Sequence, residues 1–292
     1  MRTSQLVAQG AQRLGSAAES KTLLAHVLGV EPASLPLIIE VSDADAAAFA
    51  ALLERRRAGE PVQHLTGRAF FRGVSVAVGP GVFIPRPETE LLVQWALDAL
   101  GAHPGRPAEA AGHEGPSAPV VVELCAGSGA ISLALASECP GLVQYAVEVS
   151  DDAWPYLVRN VTGTALQPVL GDMADALSEL DGTVDLVIAN PPYIPESARS
   201  ELPADVLRDP DMALFSGPDG LEALRVVASV ATRLLRSGGV LGAEHDDTHH
   251  ESAPDVLRAA GFVDVVDHLD LAGRPRYVTA RVPDLSPGRM GP

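Results

Sequence analysis

The spacing of apolar positions changes twice along the chain and divides it into three stretches. Over residues 1 to about 60 the period is helical. Leu23, Leu24, His26, Val27 and Leu28 form the stripe of one predicted helix, and residues 43–57, capped by Ser42 or Asp43, form another with Phe49, Leu52 and Leu53 inward. Nothing here alternates as a strand would, so a small helical bundle closed by Glu60-Pro61 is expected, a unit suited to docking a partner. Over 69–84 the period shortens to two. Residues 69–78, the turn Gly79-Pro80-Gly81 and Val82-Phe83-Ile84 read as a linking β-hairpin. Pro85-Arg86-Pro87-Glu88-Thr89-Glu90 then reads as a stiff arm, with Thr89 capping a helix over 90–100.

Residues 101–118 are rich in Gly, Pro, Ala and Glu, have no period, and read as a flexible surface insertion. Beyond them short apolar runs alternate with amphipathic ones. Strands are predicted over 120–125, 143–149, 169–173, 184–189, 240–244, 262–266 and 276–282. Helices are predicted over 130–137, over 151–160 with Trp154, Leu157 and Val158 inward, over 221–235 closed by Ser237-Gly238-Gly239, and over 256–260. Runs such as 184–189 are apolar without alternation, the mark of parallel strands buried on both faces, so the class is α/β and Rossmann-like. The expected division is a helical domain over 1–66, a hairpin linker over 67–84, a larger α/β domain over 85–283 and a frayed tail over 284–292.

Candidate chemistry gathers where predicted strands end. Asn190-Pro191-Pro192-Tyr193 follows a buried strand, where open α/β sheets bind ligands. Two prolines fix φ near about −65° and remove two donors, so the loop presents acceptors. The Asn190 side-chain oxygen and the Pro191 carbonyl together match both hydrogens of one planar NH2 group, and Tyr193 offers it a flat face. Ala126-Gly127-Ser128-Gly129 follows the strand ending at Cys125, and Glu148 lies 19 positions beyond Gly129, placed to accept both ribose hydroxyls of a nucleoside. No third glycine completes the dinucleotide fingerprint. Glu123 would repel a phosphate and suits a cation instead, such as the amino group or sulfonium of S-adenosylmethionine, which favours methyl over hydride transfer; it could equally cap the facing helix. Asp172 is placed to bond an adenine amine and Met173 to pack on its ring. Arg86 is a candidate for orienting a carboxylate.

Composition narrows the partners. A net charge of −17 disfavours a phosphate-backbone substrate, since Arg55-Arg56-Arg57 is the one basic cluster that stands out. The two cysteines, Cys125 and Cys139, make neither a disulfide framework nor a zinc site, and Cys125 reads as a packing residue. The cluster from Glu244 through His245, Asp246, His249 and His250 lacks fixed helical spacing, so no metal is expected. No run reaches the roughly 18 apolar residues of a membrane span, and a cytoplasmic monomer is expected.

Taken jointly, residues 83–90, 123–129, Glu148 and 190–193 resemble the release-factor glutamine methyltransferases of the HemK/PrmC type, a likeness running from Pro61 to Arg276. The resemblance implies a helical substrate-docking domain and a seven-stranded Rossmann-like methyltransferase domain. It implies S-adenosylmethionine as donor and, as acceptor, the glutamine of the Gly-Gly-Gln motif in class 1 peptide release factors. By position, Glu123 and Cys125, Ala126, Gly127, Ser128 and Gly129 would line the methionine end. Glu148 would hold the ribose, Asp172 and Met173 would flank adenine, and Asn190, Pro191, Pro192 and Tyr193, with Arg86 and Glu88, would hold the acceptor. The family usually has Asp-Leu-Gly where this chain has Glu123-Leu124-Cys125. A ribosomal protein glutamine and an exocyclic amine of nucleic acid are the alternative acceptors.

Overall fold

The computed structural model describes residues 1–101, 118–203 and 206–284. The expected insertion, apart from its end residues Gly101 and Ala118, and the expected tail beyond Asp284 lie outside the described residues.

Leucines at helical spacing pull α1 (Thr3–Leu14), α2 (Ala17–Leu28) and α3 (Asp43–Arg57) around one core made by Leu6, Leu23, Leu24, Phe49 and Leu53. Ser42 caps α3 by accepting the Asp45 N–H at 3.1 Å. His26 is exposed, and Ala25 takes the inward place expected of it. Pro61 opens a helix instead of ending one: α4 (Val62–Thr66) follows it, since a first helical turn needs no proline N–H.

The hairpin lies elsewhere than expected. β1 (Arg68–Phe71) pairs with β2 (Val74–Ala77), and the turn is Arg72-Gly73, with φ of 41° and 80°, a two-residue connection whose twist suits the strands. Gly79-Pro80-Gly81 makes no hairpin turn, because the chain has already reversed at Arg72-Gly73, and Val82 and Ile84 are buried in a loop. Asn160 ties this unit to the larger domain, accepting the Ala77 N–H at 2.7 Å and donating to the Ser128 carbonyl at 2.9 Å.

The larger domain carries a seven-stranded sheet in the order β5-β4-β3-β6-β7-β9-β8. Its strands are β3 (Val120–Leu124), β4 (Val143–Glu148), β5 (Gln167–Leu170), β6 (Val184–Ala189), β7 (Leu235–Glu244), β8 (Val263–Leu269) and β9 (Pro275–Arg281). Pairing is parallel through β7, and β9 runs antiparallel to both its neighbours. Alternate residues of the central strands face opposite cores. Val121, Leu186 and Ile188 pack with α5 (Glu90–Ala99), α6 (Ala130–Glu138) and the hairpin, while Val122, Leu124 and Val187 pack with α9 (Glu222–Leu234) and α10 (Ser252–Ala259). α7 (Trp154–Val161) follows β4, and α8 (Asp211–Leu214) packs beside the loop after β6. In α7, Val158 is exposed and Val161, one turn beyond Leu157, is buried in its place. β7 begins at Leu235, so Ser237-Gly238-Gly239 lies within a strand, beside a register shift against β6.

The strand order reverses between β3 and β6, which opens a crevice at their carboxyl ends. Among the described residues no helix is long and apolar enough to cross a membrane.

Gly242 sets how closely α5 approaches the sheet, because a Cβ there would sit 2.3 Å from Trp95 and 2.9 Å from Leu92. Gly242→Ala is expected to cost about 1–3 kcal/mol. Chemical denaturation checks it; an unchanged midpoint would show that Trp95 yields freely.

Candidate active site

A cavity of about 450 Å³ opens at the crevice, lined by the ends of β3, β4 and β6 and by the arm. Its first wall is the turn after β3. Cys125, Gly127 and Gly129 take φ of 57°, 55° and 76°, which swings the chain into α6. Glycine is required at 129, where a Cβ would meet Leu157 at 2.7 Å. Cys125 adopts a left-handed conformation that costs an L-residue on the order of 1–3 kcal/mol. Its sulfur contacts the Met173 sulfur at 3.8 Å. Burial, with Glu148, Glu123 and Asp172 adding, pushes the Cys125 thiol up to about 12.

Two acids lie beside this turn. Glu148 is buried and accepts the Gly127 N–H at 2.6 Å and the Ser150 N–H at 2.7 Å, one on each oxygen. Each oxygen retains a lone pair for a further donor. Glu123 is buried and accepts both the Ser132 N–H, at 2.9 Å, and the Ser132 hydroxyl, so it caps α6 while lining the cavity. Burial raises its carboxyl to about 8, Ser132 opposing and Glu148 adding to the rise.

The opposite wall is the loop after β6. Asn190, Pro192 and Tyr193 line the cavity, whereas Pro191 is buried and does not. The Asn190 Nδ2 donates to the Thr89 hydroxyl oxygen at 3.3 Å, which leaves Oδ1 as the acceptor for the cavity. Thr89 in turn donates to Glu244 at 2.6 Å, and the Tyr193 hydroxyl donates to the other Glu244 oxygen at 3.1 Å. Thr89 makes no capping bond to α5, contrary to expectation: its backbone is already helical, with φ −64° and ψ −19°, and its hydroxyl faces Asn190 and Glu244 instead. Burial raises the Glu244 carboxyl while Thr89, Arg276 and Tyr193 oppose the rise, and burial followed by the Glu244 charge lifts the Tyr193 phenol.

The other sequence candidates divide. Ala126, Gly127, Ser128 and Met173 line the cavity; Gly129 shapes the turn without lining it. Arg86 lines it but is held by Asp209, whose carboxylate is almost wholly buried, and it stacks over Phe83 at 5.1 Å. The carboxylate Arg86 orients is thus the protein's own. Glu88 is exposed and outside the lining. Asp172 is exposed too, its Oδ1 accepting the Ala174 N–H at 2.9 Å. The acid–histidine run after β7 is drawn into separate pairings: His245 meets Asp267 at 2.9 Å and His249 meets the Asp219 carbonyl at 3.0 Å. Among the described residues no three metal-ligating side chains converge. Sequence reasoning missed Thr89, Asp209 and Glu244 as parts of the site. An acid as the last residue of an apolar strand was the available signal for Glu244.

Residues 5–67 match the PrmC N-terminal domain and residues 114–241 the methyltransferase small domain. The chain is 44% identical over 284 residues to a release factor glutamine methyltransferase of Streptomyces coelicolor, covering 94% of this chain and 96% of the relative. It is 38% identical over 259 residues to the 4-amino-L-phenylalanine/4-methylamino-L-phenylalanine methyltransferase of Streptomyces pristinaespiralis, covering 89% and 85%. Among solved structures, the hMettl16 catalytic domain bound to MAT2A 3′UTR hairpin 6 overlies it with a TM-score of 0.56 at 15% identity, covering 85% of this chain and 84% of that one; the likeness shows a shared fold alone.

A thiol raised to about 12 is almost entirely un-ionised at pH 8. Native Cys125 is expected to react with iodoacetamide on the order of a hundredfold more slowly than in the unfolded chain. Peptide mapping after timed alkylation checks it, and equal rates would contradict the burial assigned to the thiol.

Proposed function

The chain belongs to the release factor glutamine methyltransferase family, and on that premise we propose that it methylates the side-chain amide nitrogen of the Gly-Gly-Gln glutamine in class 1 peptide chain release factors, as a cytoplasmic monomer. The observation that carries the reading is the Asn190 amide. Its nitrogen is engaged by Thr89, so its oxygen is the group left to meet a substrate NH2 in the cavity.

The cofactor is S-adenosylmethionine, which supplies a methyl group on a positively charged sulfur. The cavity fits it: about 450 Å³ lies in the range of small-ligand sites, and Glu123 and Glu148 flank the glycine turn while the lining arginines Arg86, Arg274 and Arg276 stand on other segments. That suits a cationic nucleoside and not a pyrophosphate. Glu148 would hold the ribose hydroxyls, Met173 would flank the base, and Glu123 with the 125–129 backbone would face the methionine end.

An amide nitrogen shares its lone pair with the carbonyl and attacks poorly. Asn190 Oδ1 would accept one of its N–H bonds, turn the lone pair toward the donor and stabilise positive charge as it develops on nitrogen. The Tyr193 ring, pinned by Glu244, would form a wall for the planar group. No basic side chain is needed in this scheme, because the alkylated amide is acidic enough to lose its proton to water.

A planar arylamine shares this chemistry, and it is the acceptor named for the Streptomyces pristinaespiralis relative. Incubation with S-adenosylmethionine and, in separate arms, a release factor, its Gly-Gly-Ala variant, a ribosomal protein, 4-amino-L-phenylalanine and an oligonucleotide decides the acceptor. One methyl mass on the release-factor glutamine alone is expected; methylation of the amine, the ribosomal protein or the oligonucleotide instead would overturn the reading. Asn190→Ala is expected to lower kcat by about 100-fold or more while S-adenosylmethionine affinity stays within a few-fold.

Glu123 gives a pH test. Raised to about 8, it is mostly protonated at neutral pH in the free protein, and a cation beside it favours the carboxylate, so binding expels a proton. Affinity for S-adenosylmethionine is therefore expected to rise with pH up to about 8 and then level, and Glu123→Gln to flatten that rise. Calorimetry in buffers of different ionisation enthalpy reads the released proton; a slope retained in Glu123→Gln would place the titrating group elsewhere.

A further inference from the structure

We infer that Thr89 and Glu244 are positioning residues whose task is to choose which end of the Asn190 amide faces the acceptor, an inference that rests on the function just proposed. The two ends of an asparagine amide are nearly the same size and opposite in hydrogen-bonding sense. With the oxygen toward the cavity, Asn190 accepts an N–H; turned over, it would set NH2 against NH2 and hold nothing. Packing alone does not distinguish these states, so a polar contact must.

Thr89 has one hydroxyl proton. It is committed to Glu244 at 2.6 Å, in a contact where Thr89 is 3% and Glu244 1% exposed. The Thr89 oxygen then has only lone pairs left for Asn190, and the asparagine must offer its nitrogen, as it does at 3.3 Å. A flipped Asn190 would bring two acceptors together out of water, where an unmade hydrogen bond is most costly. Glu244 must be charged for this logic to hold. Burial, with Glu88 adding, raises the Glu244 carboxyl, and Thr89, Arg276 and Tyr193 oppose the rise; each carboxyl oxygen takes one hydroxyl proton, Thr89 at 2.6 Å and Tyr193 at 3.1 Å, the arrangement of a carboxylate. The same carboxylate holds the Tyr193 hydroxyl at 3.1 Å, so one buried acid orients both ends of the 190–193 loop. Neither Thr89 nor Glu244 needs to touch the transferred methyl group; both act through Asn190.

The test compares the full-length wild type with Thr89→Val, which keeps the shape and loses the hydroxyl, Thr89→Ser, which restores it, and Glu244→Gln, whose amide can donate to Thr89 and free its proton for Asn190 Oδ1. Measured are kcat and KM for a release factor and the Kd for S-adenosylmethionine. Thr89→Val and Glu244→Gln are expected to lower kcat by about 10- to 100-fold with KM and Kd within about threefold, and Thr89→Ser to return kcat to within about threefold of wild type. Wild-type kcat in Thr89→Val, equal losses in the valine and serine variants, or a loss confined to cofactor Kd would overturn the inference. Should Thr89→Val fail to fold, wild-type kcat in Glu244→Gln overturns it by itself. A wild-type enzyme inactive on release factors would instead defeat the proposed function, so the two failures are distinguishable.

Discussion

A carboxylate buried at the end of β7 is the constraint on which the site depends. Glu244 is 1% exposed, and a charge so placed is tolerable only where donors meet it. Thr89 reaches it from the arm before α5 and Tyr193 from the loop after β6, joining segments 155 and 51 residues away in sequence. The cost of burying the acid is met by the same hydroxyls that hold the asparagine and tyrosine in place. Stability and orientation are one interaction here. Loss of either hydroxyl would leave a buried charge short of a partner, so the loop cannot relax independently of the sheet.

The sheet places the chemistry by topology. Strand order reverses between β3 and β6, and the turns after β3, β4 and β6 all empty into one crevice. On one side lie acids suited to a cationic nucleoside; on the other lie acceptors suited to an NH2 group. Asn160 couples the hairpin to the glycine turn, and Arg86 with Asp209 couples the arm to the segment before α8. The helical bundle touches that same segment through Arg208, which donates to the Ala58 carbonyl at 3.0 Å. Val206 and Pro210 of that segment line the cavity.

What could be read in the sequence was what local periodicity encodes. The apolar run 184–189, the glycine turn at 127–129 and the helical stripes of α2, α3 and α9 report their own backbone state, and the loop 190–193 was placed by the strand before it. Finer geometry failed where two local signals competed. Gly79-Pro80-Gly81 looked a better turn than Arg72-Gly73, yet the strand partner decided the matter. Val158 and Val161 differ by less than a helical turn, and only the position of α7 on the sheet chose between them. Polar partnerships were least legible. Nothing near Thr89 announces Glu244, nothing near Arg86 announces Asp209, and Asp172 and Glu88 lie close to the cavity in sequence but outside it in space. A buried hydrogen bond between distant segments is a property of the folded chain, and hydrophobic pattern carries no trace of it.

The central claim is that the Asn190 oxygen grips an amide N–H. A crystal structure of the enzyme with S-adenosylhomocysteine and a Gly-Gly-Gln peptide tests it most directly. The account predicts the glutamine side-chain nitrogen within about 2.7–3.2 Å of Asn190 Oδ1, with Asn190 Nδ2 still on Thr89. A glutamine amide held by other groups, or an Asn190 whose nitrogen faces the substrate, would contradict it.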